Sequence, residues 1–169
     1  MTAPVQATGG SPFRRFSRWM YREGRPNALA RVLNRIGALH FGSGVLAPSR
    51  WATLEVRGRR TGRTISFPVV IADYDGEYYL VSMLGDDTNW VRNVRAADGR
   101  AVLLRRRRRA VRLVEVSPGL RAPILRRYLE LAPGARPHIP VDRHAPLASF
   151  EQVAARYPVF RITLDRPGA

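Results

Sequence analysis

At 169 residues, with 45% of them hydrophobic, the chain is long enough to bury one ordinary core and needs no second domain. It has no cysteine, which excludes disulfides, thiolate metal sites and thiol nucleophiles, so redox chemistry would need a borrowed cofactor. Its 29 basic residues, every one an arginine, face 13 acidic ones for a net charge of +16, which attracts polyanions: nucleic acid, anionic lipid, or a phosphorylated, carboxylate-rich cofactor.

Residues 1–12 are small, polar and proline-bearing, and a flexible terminus is expected over 1–25, ahead of one globular domain over 26–169. The start has no apolar secretory stretch, and no run approaches the roughly 20 apolar residues of a membrane span, so the default expectation is a soluble, cytoplasmic protein. From Pro26 onward Leu29, Val32, Leu33 and Ile36 recur at helical spacing with Arg31 and Arg35 opposite, which predicts an amphipathic helix. It would cover one mouth of a β core; the alternative is peripheral contact with an anionic membrane, assisted by Phe13, Phe16, Trp19 and Met20.

Glycines and a proline over 42–49 end that helix, and 51–56 then alternates like a half-buried strand. A tight turn follows over 58–62. Segments 65–72 and 78–83 are apolar, β-branched or aromatic, and Asp75-Gly76 between them is a hairpin signal, so three antiparallel strands are expected in succession. Asp86, Asp87 and Thr88 offer N-caps for a helix through Trp90, Val91, Val94 and Arg95 that stops near Asp98-Gly99. A second hairpin over 101–104 and 110–116, a helix opened by Ser117-Pro118 and running to Leu131, a proline-rich loop over 133–146, a short helix over 149–155 and a last strand over 159–164 complete the chain. The predicted class is α+β: a small split β-barrel of about six mainly antiparallel strands with flanking helices.

Three places could carry chemistry. Gly58-Arg59-Arg60-Thr61-Gly62 offers backbone amides, guanidinium forks and a hydroxyl to phosphate or carboxylate oxygens, although basic glycine turns are often plain hairpin tips. The glycine loop at Gly85 runs into a helix with Trp90 and Asn93 one turn apart, where an indole can lie against a flat ring and an amide can hydrogen-bond a ligand; tryptophan at helical spacing is more often core. The block Arg105 to Arg109 sits where a hairpin should turn. A run this dense is usually a solvated loop, with binding to nucleic acid or anionic lipid as the alternative, and the interleaved aromatics of a single-strand nucleic-acid platform are missing, so nucleic acid is disfavoured. His40, His138 and His144 stand at no metal-ligand spacing, and no metal is expected.

A strand, Gly-Arg-Arg-Thr-Gly at 58–62, Phe67-Pro68-Val69, Asp75-Gly76, Gly85 and Trp90-Val-Arg-Asn93 arrive in an order that resembles the deazaflavin (F420)-dependent nitroreductase and quinone reductase family of split barrels, related to the flavin reductases. The resemblance implies that Arg59, Arg60, Thr61 and Gly62 hold the cofactor's phosphate and acidic tail. It implies that Pro68, Val69 and Val70 lie along the deazaflavin ring and that Gly85, Trp90 and Asn93 close the other side. Ile65 stands where members often carry arginine, and Met83-Leu84-Gly85-Asp86 replaces a more basic glycine loop, so fewer cationic contacts come from there. The implied activity is hydride transfer from reduced F420 to a quinone, nitroaromatic or activated alkene, with a small-molecule electron acceptor as partner and a homo-oligomer allowed. The rival readings are an FMN-binding reductase of the same barrel and a non-enzymatic polyanion binder. Catalytic residues stay unassigned, with Tyr78, Tyr79, Tyr128 or water open as proton sources.

Overall fold

The computed structural model describes residues 50–165; the segment expected to be flexible, the expected amphipathic helix and His40 lie outside them. The described chain runs β1 (Trp51–Arg57), β2 (Thr64–Val70), β3 (Ala72–Tyr74), β4 (Glu77–Val81), α1 (Asn89–Ala96), β5 (Arg100–Leu104), β6 (Arg108–Glu115), α2 (Ala122–Leu131), α3 (Leu147–Ala154) and β7 (Val159–Leu164). Short 3-10 turns at Pro118–Leu120 and Pro133–His138 flank α2. All strands join one antiparallel sheet in the order β2-β1-β5-β6-β7-β4-β3, curled into a split half-barrel.

The period-two pattern works as expected in β1, which sends Ala52, Leu54 and Val56 into the barrel. Asp75 and Gly76 both take positive φ, 50° and 74°, the conformation of a two-residue type I′ turn, and they join β3 to β4. Over 65–72 the structure departs from a single strand. The β1–β2 ladder runs out at Ile71, whose N–H still donates to the Arg50 carbonyl at 2.9 Å in the register that pairs Trp51 with Val70. Before the break β2 pairs with β1; after it β3 pairs with β4, at the other end of the sheet. One uneventful apolar run therefore supplies both sheet edges. This is why there are seven strands rather than about six, and why β4 pairs with β3 and β7 instead of β2.

The sheet's two faces carry separate cores. Inside the curl, α1 inserts Trp90, Val91 and Val94 against Leu54, Phe67 and Phe160, and Trp90 lies between Phe67 and Phe160 with ring centroids 6.0 and 5.4 Å away. Outside it, α2 and α3 cover Ala72, Tyr79 and Val81 with Ile124, Leu125, Leu129 and Phe150. The helix predicted from Pro118 begins as a 3-10 turn, and α2 proper starts at Ala122. Arg121, at the junction, is buried. It donates to the Val116 carbonyl (2.8 Å) and to the Ala155 and Ala154 carbonyls at the end of α3 (3.3 and 3.4 Å), and it meets Glu115 at 3.1 Å, so its charge is spread over a nearly complete set of acceptors.

Asp73 on β3 ties the sheet to α2. Arg50 donates to its carboxylate at 2.7 Å and Arg127 of α2 at 3.1 Å, and the Arg50 hydrogen bond, ahead of the Arg127 contacts, holds its pKa below the ordinary carboxylate value. A pKa depressed by folding gives stability that is present above the unfolded value and lost as pH falls through the folded one. Asp73→Asn is therefore expected to lower the urea midpoint slightly at pH 7, by under about 1 kcal/mol for a pair this exposed, and the gap from the parent chain should close below about pH 4. A gap that is the same at both pH values would refute the ion-pair account.

Candidate active site

The barrel is open where β2 and β4 face each other without pairing, since β2 bonds only β1 and β4 bonds only β3 and β7. An apolar cleft lies in that opening. Phe67, Val69, Leu80 and Trp90 line it from the inner face, and Trp51, Pro68, Val70 and Val81 from the outer one. Met83 and Leu84 close one side, and Tyr128, Ala132 and Ala135 close another. Pro68 is tolerated within a strand because β2 is an edge strand that need not donate outward.

The 58–62 turn stands at the start of β2. The Gly58 N–H bonds the Arg63 carbonyl and the Gly62 N–H bonds the Gly58 carbonyl, both at 2.8 Å, and Gly62 takes φ +65°. The two arginines of the turn differ sharply. Arg59 is committed: its backbone N–H (3.2 Å) and its Nη1 (3.0 Å) both donate to the Asn93 side-chain oxygen, and its guanidinium reaches Asn89 at 3.4 Å. Arg60, exposed beside Thr61 and Gly62, has no hydrogen-bond or ion-pair partner among the described residues. Six residues separate Gly62 from Pro68, so the turn and the cleft lie about 20 Å apart along β2 at roughly 3.3 Å per residue.

The loop after β4 is fixed from within. Ser82, fully buried, donates to the Gly85 carbonyl at 2.7 Å and meets the Thr88 hydroxyl at 3.2 Å, while Gly85 takes φ +88°. Asp86 and Asp87 do not cap α1. They pair with Arg95 at 2.6 Å and Arg92 at 2.5 Å, so their charges are answered locally, and the Arg95 hydrogen bond holds the Asp86 carboxyl below its ordinary value.

Of the residues singled out from sequence, Pro68, Val69, Val70 and Trp90 meet in the cleft, and Arg59 and Asn93 meet each other. Arg60, Thr61 and Gly62 form the exposed turn, and Gly85 shapes the loop that presents Leu84 to the cleft without lining it. Trp90 packs in the core and borders the cleft as well, so its two readings are not exclusive. The Arg105 to Arg107 connection lies elsewhere: Leu104 opposes Thr53 near the start of β1, whereas the 58–62 turn follows the end of that strand, so the arginine run belongs to the opposite end of the sheet. Sequence reasoning missed Ala132, Gly134 and Ala135. Their signal was a proline-glycine-alanine stretch read as irregular loop, which instead packs as a 3-10 turn against the cleft. Among the described residues no cluster of histidines and carboxylates could hold a metal, and no helix is long and apolar enough to cross a membrane.

An antiparallel half-barrel with an apolar slot at its split and a cationic turn at the head of the bordering strand is the framework of a split-barrel reductase that binds a flavin-like cofactor. The chain belongs to the F420H(2)-dependent quinone reductase family, whose model matches residues 35–147. It is therefore an F420-dependent oxidoreductase. The fold is shared with the crystal structure of Atu2129, a protein of unknown function from Agrobacterium tumefaciens, at a TM-score of 0.51 and 17% identity over 70% of this chain; the chain spans about half of that protein, 49%. A conserved hypothetical protein of Mycobacterium tuberculosis, Rv2991, aligns at TM-score 0.49 and 18% identity, covering 86% of this chain and 85% of its own. An F420-H2-dependent reductase, FDR-A, aligns at TM-score 0.40 and 20% identity, covering 70% and 97%. No curated protein matches the chain.

The residues present fit that cofactor. F420 joins an uncharged tricyclic ring to a phosphodiester and glutamyl carboxylates, and here an apolar cleft stands at one end of β2 and a partner-free arginine at the other.

Proposed function

We propose that the chain reduces a small planar organic acceptor, a quinone, nitroaromatic or activated alkene, bound at the split of the barrel. The observation that carries this reading is the apolar cleft joined by a single edge strand to the exposed Arg60 turn. F420, when bound and reduced, supplies a hydride. Arg60 and the Thr61 hydroxyl bind its anionic part, on a turn that Gly62 closes and that Arg59 and Asn93 hold in place. Pro68, Val69 and Val70 offer their edge to the ring, and Trp90 with the Gly85 loop limits the other side. The cleft's apolar walls exclude water and favour neutral, flat acceptors over charged ones.

Trp51 and Trp90 border the cleft, so intrinsic fluorescence reports on its occupancy. Titration with F420 and, separately, with FMN should give saturable quenching that is tighter for F420, and reduced F420 should be consumed when menadione is added. Saturation by FMN alone would replace this reading with the flavin one.

Asn93→Ala tests the support of the turn. The side chain is buried and gives its oxygen to two donors of Arg59, so its removal should weaken F420 binding by about 1 kcal/mol through a loosened turn. The same titration checks it, and unchanged affinity would show that the turn holds its shape without α1.

A further inference from the structure

Tyr128 on α2 is the one lining side chain of the cleft, apart from the two indoles, that carries a polar group, and its hydroxyl has no hydrogen-bond partner among the described residues. The residue is 5% exposed. A buried hydroxyl left unpaired is costly, and phenylalanine would fill the same space between Leu125 and Leu129 without that cost. The fold satisfies such a group elsewhere: Tyr157, equally buried, gives its hydroxyl to the His138 carbonyl at 2.9 Å. Ala132 and Ala135, one and two turns beyond Tyr128 in sequence, are small and leave the cleft open beside the ring.

We propose that the Tyr128 hydroxyl is the hydrogen-bond donor for an oxygen of the acceptor, a quinone carbonyl or a nitro oxygen, and so orients that acceptor in the cleft. The proposal rests on the function proposed above and adds the residue that selects for an oxygen-bearing ring. Burial raises the phenol above its ordinary pKa, so the group stays protonated and acts as a donor rather than as a phenolate. No proton needs to leave it: the hydrogen bond positions and polarises the acceptor oxygen.

The test compares two ligands of nearly the same shape, menadione and 2-methylnaphthalene, which lacks the oxygens, by quenching of tryptophan fluorescence in the parent chain and in Tyr128→Phe. Loss of one hydrogen bond to a group otherwise unpaired should raise the Kd for menadione about tenfold in the variant, leave that for 2-methylnaphthalene within about twofold, and leave the F420 titration unchanged. The variant should melt no earlier than the parent, since the hydroxyl has no protein partner to lose. Equal affinity of both chains for menadione, a parallel loss for both ligands, or a lowered melting temperature would overturn the proposal. Failure of the functional reading would look different, as a parent chain that does not bind F420.

Discussion

Gly99→Ala is expected to destabilise the fold by about 3 kcal/mol or more, read as a fall in the urea midpoint at constant slope. Two independent costs meet at this residue. Its φ is +76°, a region that costs an L-residue about 1 to 2 kcal/mol, and a Cβ there would stand 2.5 Å from the Leu113 carbonyl oxygen, a backbone atom that cannot swing aside. Neither partner is free to move. The Gly99 N–H bonds the Val94 carbonyl at 2.9 Å and the Asp98 N–H bonds the Arg95 carbonyl at 3.1 Å, the paired bonds that close the end of α1, while the Gly99 carbonyl accepts from Leu113 at 2.8 Å. Gly76→Ala is the control. It has a similar φ of +74° but nothing within 4 Å, so it should cost only the conformational part. Equal losses at the two positions would show that the contact with β6 carries no weight. Because α1 carries Trp90 and Asn93, the variant at Gly99 should also lose cofactor affinity before it unfolds.

Arg60→Ala should weaken F420 binding by about 1.5 to 3 kcal/mol, roughly ten- to a hundredfold, with no measurable change in stability. The asymmetry comes from the free state: Arg60 has no described partner to give up, so all of its loss appears in the complex. Arg59→Ala should behave otherwise. It removes a guanidinium that braces α1 through Asn93 and Asn89, so binding and melting temperature should fall together. An Arg60 variant that binds normally would remove the turn from the site, and one that also melts early would show that the side chain braces the fold.

How far these features can be read from the sequence depends on their range. Asp75-Gly76 and Asp98-Gly99 are local signals, and both sit at positive φ where the chain turns. The inward alternation of Ala52, Leu54 and Val56 is likewise written into β1. The break at Ile71 is invisible, because 65–72 is apolar but for Ser66 and the reason for the break is the closure of a sheet whose middle strands β5, β6 and β7 come from far along the chain. The division of labour in the 58–62 turn could not be seen either. Two adjacent arginines look alike until Asn93, 34 residues from Arg59, is brought beneath one of them. The ion pairs of Asp86 and Asp87, offered by the sequence as N-caps, are hidden for the same reason, since Arg95 and Arg92 meet them only once α1 has formed.

The pairing of β4 with β7 also sets when the site can exist. Leu80 opposes Phe160, a separation of 80 residues, whereas β1 with β2, β3 with β4 and β5 with β6 are all local hairpins. Closing so large a loop is the slow entropic step of a chain like this. Three ready hairpins would form early, and the wall of the split would wait for the C-terminal strand. During synthesis on the ribosome, therefore, the cleft is completed only after residue 160 has emerged, and a shorter nascent chain offers no enclosed apolar slot to a ligand.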